Sequence, residues 1–90
     1  MEEALWLTVA VKGLTVGRVV DVILDRENEN VIGFEVRCED GLHRFLPRAA
    51  ARRTDSRIEI DSPLALLDTD QLDFYRSRGV TVRTKEEPAA

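Results

Sequence analysis

Ninety residues, 43% hydrophobic and 33% charged, describe one small globular domain and exclude a disordered chain. The net charge of −4 is unfavourable for a general nucleic-acid binder, and the apolar runs are too short for a membrane-spanning helix. One cysteine and one histidine exclude an internal disulfide and a Cys/His metal site.

Glu2 and Glu3 stand where a secretory leader would carry Lys or Arg, and no leader core follows, so the cytoplasm is the expected location. From Ala4 to Val11, Leu5, Leu7, Val9 and Val11 alternate with Trp6, Thr8 and Ala10, which predicts a first strand. Lys12-Gly13-Leu14-Thr15 reads as a tight connection, with Gly13 supplying positive φ and Gly17 a bulge or close backbone approach. Two long strands follow at about 17–25 and 31–38, separated by Arg26-Glu27-Asn28-Glu29-Asn30, which contains no apolar residue. On the first, Val20, Val22 and Leu24 form one face, while Val19 and Ile23 make the opposite face apolar as well. A strand apolar on both sides needs cover on both, from a helix or from another subunit. On the second, Ile32, Phe34, Val36 and Cys38 share a face, so Cys38 reads as a small buried hydrophobe. Asp21 and Asp25 read as solvent-facing strand positions.

Glu39-Asp40-Gly41 is a second hairpin signal, and a fourth strand over 42–46 ends at Pro47. Residues 48–56 form a connection with room for one helical turn at Ala49-Ala50-Ala51. A short fifth strand at 57–61 points Ile58 and Ile60 inward. Ser62-Pro63 is an N-cap followed by Pro at the first helical position, predicting a turn of helix over about 63–67. A helix over about 69–78 is predicted from Asp68 and Gln71 in capping-box spacing, Arg76 and Arg78 in the last turn, and Gly79 beyond. Leu72, Tyr75 and Phe74 form its apolar stripe. Val80-Thr81-Val82 is a candidate sixth strand. Residues 1–84 are thus expected to form one domain and residues 85–90 a disordered polar tail. Closely spaced strands with tight turns predict a mainly β fold, a five- to six-stranded antiparallel barrel with a C-terminal helix packed on it.

Gly17-Arg18-Val19-Val20-Asp21-Val22-Ile23-Leu24-Asp25, then Val31-Ile32-Gly33-Phe34-Glu35-Val36, then Arg44-Phe45-Leu46-Pro47, resemble the PRC-barrel pattern in order and spacing. That pattern is a G-x-V-x-D-V strand, a polar turn, a V-x-G-hydrophobic strand and an R-F-L-P-type strand before an Ala-rich connection. The resemblance covers about residues 11–61. PRC-barrels occur in the cytoplasmic part of the photosynthetic reaction-centre H subunit, in the C-terminal domain of the bacterial ribosome maturation factor, and as stand-alone proteins that include archaeal cell-division factors. With neither a transmembrane helix nor an N-terminal barrel domain in these residues, the stand-alone class is the one expected. The resemblance implies a small barrel that binds other proteins, often as an oligomer, without catalysis.

Chemistry-bearing residues are few. His43 reads as a surface or rim side chain, and Ser56, Ser62 and Ser77 lack a nucleophile-elbow context. Asp68, Asp70 and Asp73 lack the downstream Gly and Glu of a calcium loop, and no phosphate-binding glycine motif occurs. No catalytic, cofactor or metal residues are therefore expected. Charge is uneven, however: residues 43–57 hold five basic and one acidic side chain. Arg44, Arg48, Arg52 and Arg53 are the candidate partner-binding residues, since guanidinium groups grip carboxylates and phosphates bidentately. Three readings stay open for them: a solvated loop balancing nearby acids, a dock for an acidic protein surface, or an RNA or ribosome contact. Val19, Ile23, Leu72, Phe74 and Tyr75 are the candidates for helix or dimer packing. The expectation is a homodimeric, non-enzymatic adaptor or scaffold. An RNA-associated assembly factor is the alternative, and a ligand-binding barrel or enzyme the third reading.

Overall fold

The computed structural model describes residues 4–82. The tail expected from residue 85 lies outside the described residues. Among the described residues the protein is mainly β: seven strands form one curled sheet, a half-barrel, with the Thr69–Arg78 α-helix packed on its outside.

Strands β1 (Thr8–Val11) and β2 (Leu14–Leu24) form the first hairpin, and Val11 faces Leu14 across Lys12 and Gly13. Both turn residues have positive φ, 50° and 83°, the requirement of a two-residue turn whose twist matches its strands. β1 is shorter than the alternation predicts because Trp6 takes φ 71°, which breaks the extended run. The irregular residues stay attached nonetheless: Trp6 N donates to Val19 O at 2.7 Å, and Val19 N to Leu7 O at 2.9 Å.

β2 is the spine. Its first half pairs with β1 and its last two residues with β7 (Val80–Thr81), while from Gly17 onward the other edge carries β3 (Val31–Cys38). At Gly17 the expected close approach occurs. A Cβ there would lie 2.7 Å from a Val36 methyl and 2.8 Å from Arg37 O. β4 (His43–Pro47) extends the sheet beyond β3, and β5 (Arg52–Arg53) and β6 (Arg57–Ile60) extend it beyond β1, giving the order β4-β3-β2-β1-β6-β5. Two features depart from an all-antiparallel barrel. β1 and β6 are parallel, Thr8 to Val11 running beside Arg57 to Ile60. Such a pair needs a long crossover, which the chain from β2 through β5 supplies. No pairing joins β4 to β5 among the described residues, so the curl stays open, bridged by the Arg48–Ala50 3-10 turn. β5 itself falls where the sequence predicts only a connection.

Three register shifts set the curvature and decide which side each residue faces. Val19 opposes Val36 and Asp21 opposes Glu35, so Val20 is the extra residue of a bulge. The period-two alternation therefore changes phase at Val20. Val19 joins Val22 and Leu24 in the main core, instead of lying on the opposite face with Ile23. On β3, Ile32 is the extra residue between Gly33 and Val31, so it packs outside while Phe34, Val36 and Cys38 pack inside. Inside the curl these residues meet Val9, Leu46, Ile58 and Ile60.

Outside lies α1 (Thr69–Arg78), preceded by a Pro63–Ala65 3-10 turn in which Ser62 Oγ accepts from Leu64 N at 3.1 Å. Between the two, Leu67 bridges to Phe45 and covers the outer edge of β4, with N–H···O bonds of 2.9 and 2.8 Å. Asp68 holds the N-cap position without a side-chain capping bond, so the expected capping box is not formed. Gly79 ends the helix at φ −112°, outside the left-handed region. What it provides is room, since a Cβ there would lie 2.6 Å from Leu24 O. The absence of a side chain lets the helix end turn tightly into β7 against β2. No helix of the described residues is long and apolar enough to cross a membrane.

Candidate functional site

The arginine segment begins where β4 ends. Pro47 cannot continue the ladder, the backbone turns through Arg48–Ala50, and the chain re-enters the sheet as β5. Its arginines are scattered rather than gathered. Arg44 forks onto Asp40, four residues back across the β3–β4 turn, with nitrogen–oxygen distances of 3.1 and 2.9 Å. That guanidinium, together with the Leu42 N–H at 3.0 Å, holds the Asp40 carboxyl below the usual carboxylate range. Arg52 pairs with Asp61 at 2.5 Å, and Arg57 pairs with Glu59. The charge island of the linear sequence is thus largely neutralised by acids from the flanking segments.

Arg48 and Arg53 come together at the open mouth of the half-barrel. They line a cleft of about 600 Å³ whose other walls among the described residues are Ala4, Val22, Val31, Phe34, Ala51 and Ile58. Arg48 is exposed, its carbonyl accepts from Ala51 N at 3.1 Å, and its side chain makes no hydrogen bond or ion pair among the described residues. Arg44 lines a separate cleft, near 500 Å³, with Val16, Cys38, Pro63, Leu64 and Leu66. Cys38 is buried there, its Sγ 3.9 Å from Val36 O.

A second constellation lies under the helix. Ile23, Phe45 and Leu72 form a small buried cluster, flanked by Ile32, Leu67 and Tyr75. The Tyr75 ring stacks on Phe45 at 4.3 Å and 12°. Phe74 is 46% exposed, sits edge-on to Tyr75 and lies 4.5 Å from the Arg78 guanidinium carbon. Of the five residues expected at helix or dimer packing, Ile23, Leu72 and Tyr75 meet here, Phe74 stands at the rim, and Val19 lies in the other cluster.

The same face holds charge that the sequence pattern does not reveal. Glu35 and Asp21 are cross-strand neighbours on the outer face, and both are buried. Glu35 Oε2 lies 2.5 Å from His43 Nδ1 and its Oε1 lies 3.7 Å from Arg76 Nε. Asp21 Oδ1 accepts from Val22 N at 2.8 Å. The solvent-facing assignment of Asp21 therefore fails, because the bulge and the helix bury that side of β2. Asp25 instead shapes the β2–β3 loop, where its Oδ1 accepts from Glu27 N at 2.8 Å and Asn28 N at 3.2 Å. The signal for the buried acids is register: once β2 and β3 are aligned through Val19 and Val36, Asp21 and Glu35 fall opposite one another. Among the described residues no group of three or more His, Cys, Asp or Glu side chains is arranged to hold a metal.

No family model matches the chain, and no curated protein matches it either.

Proposed function

We propose that this chain is a non-enzymatic protein–protein interaction module of the PRC-barrel type, a cytoplasmic adaptor or scaffold that works as a homodimer. One observation carries the reading: the open mouth of the half-barrel, where an apolar floor meets the unpaired Arg48. The interior of the curl supports it, since Val9, Val36, Leu46 and Ile60 pack together there. The pairing of Arg44, Arg52 and Arg57 with carboxylates engages three of the five arginines in residues 43–57, which favours a protein partner over RNA at this segment.

The case for a second copy rests on different residues from those the sequence points to. Leu72 of α1 already packs with Ile23 on the outer face of β2, so the exposed apolar residues that remain include Leu64 (88% exposed), Leu14 (74%) and Leu42, together with Phe74. Sedimentation of the full chain at micromolar concentration tests the dimer. A species of twice the 10.2 kDa chain mass is expected, and a clean 10.2 kDa species removes the dimer. Crosslinking in cells tests the partner class: recovered proteins support the module, and recovered RNA replaces it with the assembly-factor alternative.

A further inference from the structure

We infer that the outer face of the sheet binds a phosphorylated side chain of a partner protein, with Arg18 and Arg37 gripping its phosphoryl group from neighbouring strands. The inference rests on the interaction-module reading for the source of the phosphate, and it places a docking site away from the half-barrel mouth.

Register is the first argument. Val19 and Val36 oppose one another and point into the core. Arg18, one residue before Val19, and Arg37, one residue after Val36, therefore oppose one another and point outward. Directly opposed residues on one sheet face hold their Cβ atoms about 5 Å apart, a spacing at which like charges destabilise the pair. Both arginines are exposed, and among the described residues neither side chain makes a hydrogen bond or ion pair. By contrast, the chain supplies a carboxylate to Arg44, Arg52, Arg57 and Arg76. Folding thus brings two cations together on rigid strands and leaves their repulsion for an anion to relieve.

The surroundings are the second argument, and they select the anion. Thr8 of β1 lies beside Arg18 in the register and adds a hydroxyl on the same face. Thr8, Arg18 and Arg37 line one cleft of about 490 Å³. Glu39 is the one acid in that lining among the described residues, and it forms no ion pair with either arginine, so the lining keeps a net positive charge. Two guanidinium forks exceed what the two oxygens and single charge of a carboxylate can satisfy. A phosphoryl group brings three acceptor oxygens and roughly two negative charges at neutral pH. A nucleic acid would find Trp6 in the lining to stack on, but it also needs cations in series. The next ones along the row are His43, beside Arg37, and Arg57, beyond Thr8, and they are engaged by Glu35 and Glu59. One isolated pair of free cations in an acidic chain suits a single dianion on a protein.

The test uses the full chain and a fluorescein-labelled Ala/Gly peptide that carries one phosphoserine. Anisotropy should show saturable binding that weakens with salt, and amide shifts should centre on Thr8, Arg18 and Arg37. The same peptide with unmodified serine should bind about tenfold more weakly or worse. Arg18→Gln and Arg37→Gln, both at exposed positions, should each weaken the phosphopeptide about tenfold or more, and Arg18→Lys, which keeps the charge but loses the fork, should fall between. Without peptide, either Gln variant should unfold at the wild-type temperature or above it, because a repulsion is relieved. Equal affinity for the two peptides overturns the inference, as does full-strength binding by both Gln variants. Inorganic phosphate binding as tightly as the phosphopeptide also overturns it. So does an oligothymidylate or a phosphatidylserine vesicle that binds through Arg18 and Arg37 more tightly than the phosphopeptide. Crosslinking in cells with the Arg18→Gln/Arg37→Gln double variant separates the two claims. Proteins recovered as from wild type remove the site and leave the module, whereas phosphopeptide binding with only RNA recovered in cells removes the module and leaves the site.

Discussion

The two faces of the sheet are built on opposite rules. Inside the curl, side chains from β1, β2, β3, β4 and β6 converge on one apolar cluster, and each is held by neighbours far away in sequence. Outside, three buried apolar residues share a face with Glu35, Asp21 and His43, and the cover comes from one ten-residue helix that buries only Leu72. The inner face has no competing partner and sets the fold. The outer face is thinner and mixed, and its cover is a single element joined through Gly79 to a two-residue strand. Local opening should therefore begin outside.

The largest expected effect is on the inner face. Ile58→Ala should cost about 2–5 kcal/mol, because Ile58 is almost fully buried where β6 runs beside β1. Urea unfolding should show a lowered midpoint with a single transition. A smaller loss than that of the outer-face variant would invert the ranking of the two faces. Leu72→Ala should cost about 2–3 kcal/mol, at the low end for a buried Leu, since a surface helix can settle into the space. The sharper test is spatial: hydrogen exchange should quicken across Thr69–Arg78 while the amides of β1 and β6 keep their protection. Uniform acceleration throughout would show that the two faces unfold as one.

Third in size comes the buried carboxylate. Among the described residues His43→Ala leaves Glu35 with the longer Arg76 contact at 3.7 Å and should cost about 1–2 kcal/mol, discounted because His43 is partly exposed. Replacing Glu35 and His43 together by leucine should recover most of that loss, since an apolar pair leaves nothing unsatisfied. A double variant weaker than His43→Ala would show that the charges do more than satisfy each other.

The same contrast explains which parts of the fold are legible in the sequence. The inner face is legible at β3 and β6, where Phe34, Val36, Ile58 and Ile60 alternate without interruption. It misleads at Val19, because a bulge at Val20 adds one residue and alternation carries no mark of the insertion. The helix is legible through the acids at its start, Arg76, Arg78 and Gly79, although Gly79 serves close approach rather than positive φ. β5 is invisible because two exposed arginines have no hydrophobic period. The arginine segment is legible as a charge run but not as a site. Which guanidinium remains unpaired depends on where Asp40, Asp61 and Glu59 fall once the strands are aligned.

The smallest effect belongs to neither face but to the β3–β4 turn, and it isolates surface electrostatics from packing. Asp40 is held below its usual range by the Arg44 fork and the Leu42 N–H. A carboxyl depressed in the folded state contributes stability above its unfolded value, near pH 4, and loses it as pH falls through the lower folded value. Asp40→Asn should therefore leave the unfolding midpoint almost unchanged at pH 7, because exposed pairs contribute little, and should flatten its fall below about pH 4. NMR titration of the Asp40 carboxyl carbon checks the cause directly. A midpoint at or above that of an exposed aspartate would show that Arg44 swings free of Asp40 in solution, and Arg44 would then join Arg48 as a cation available to a partner.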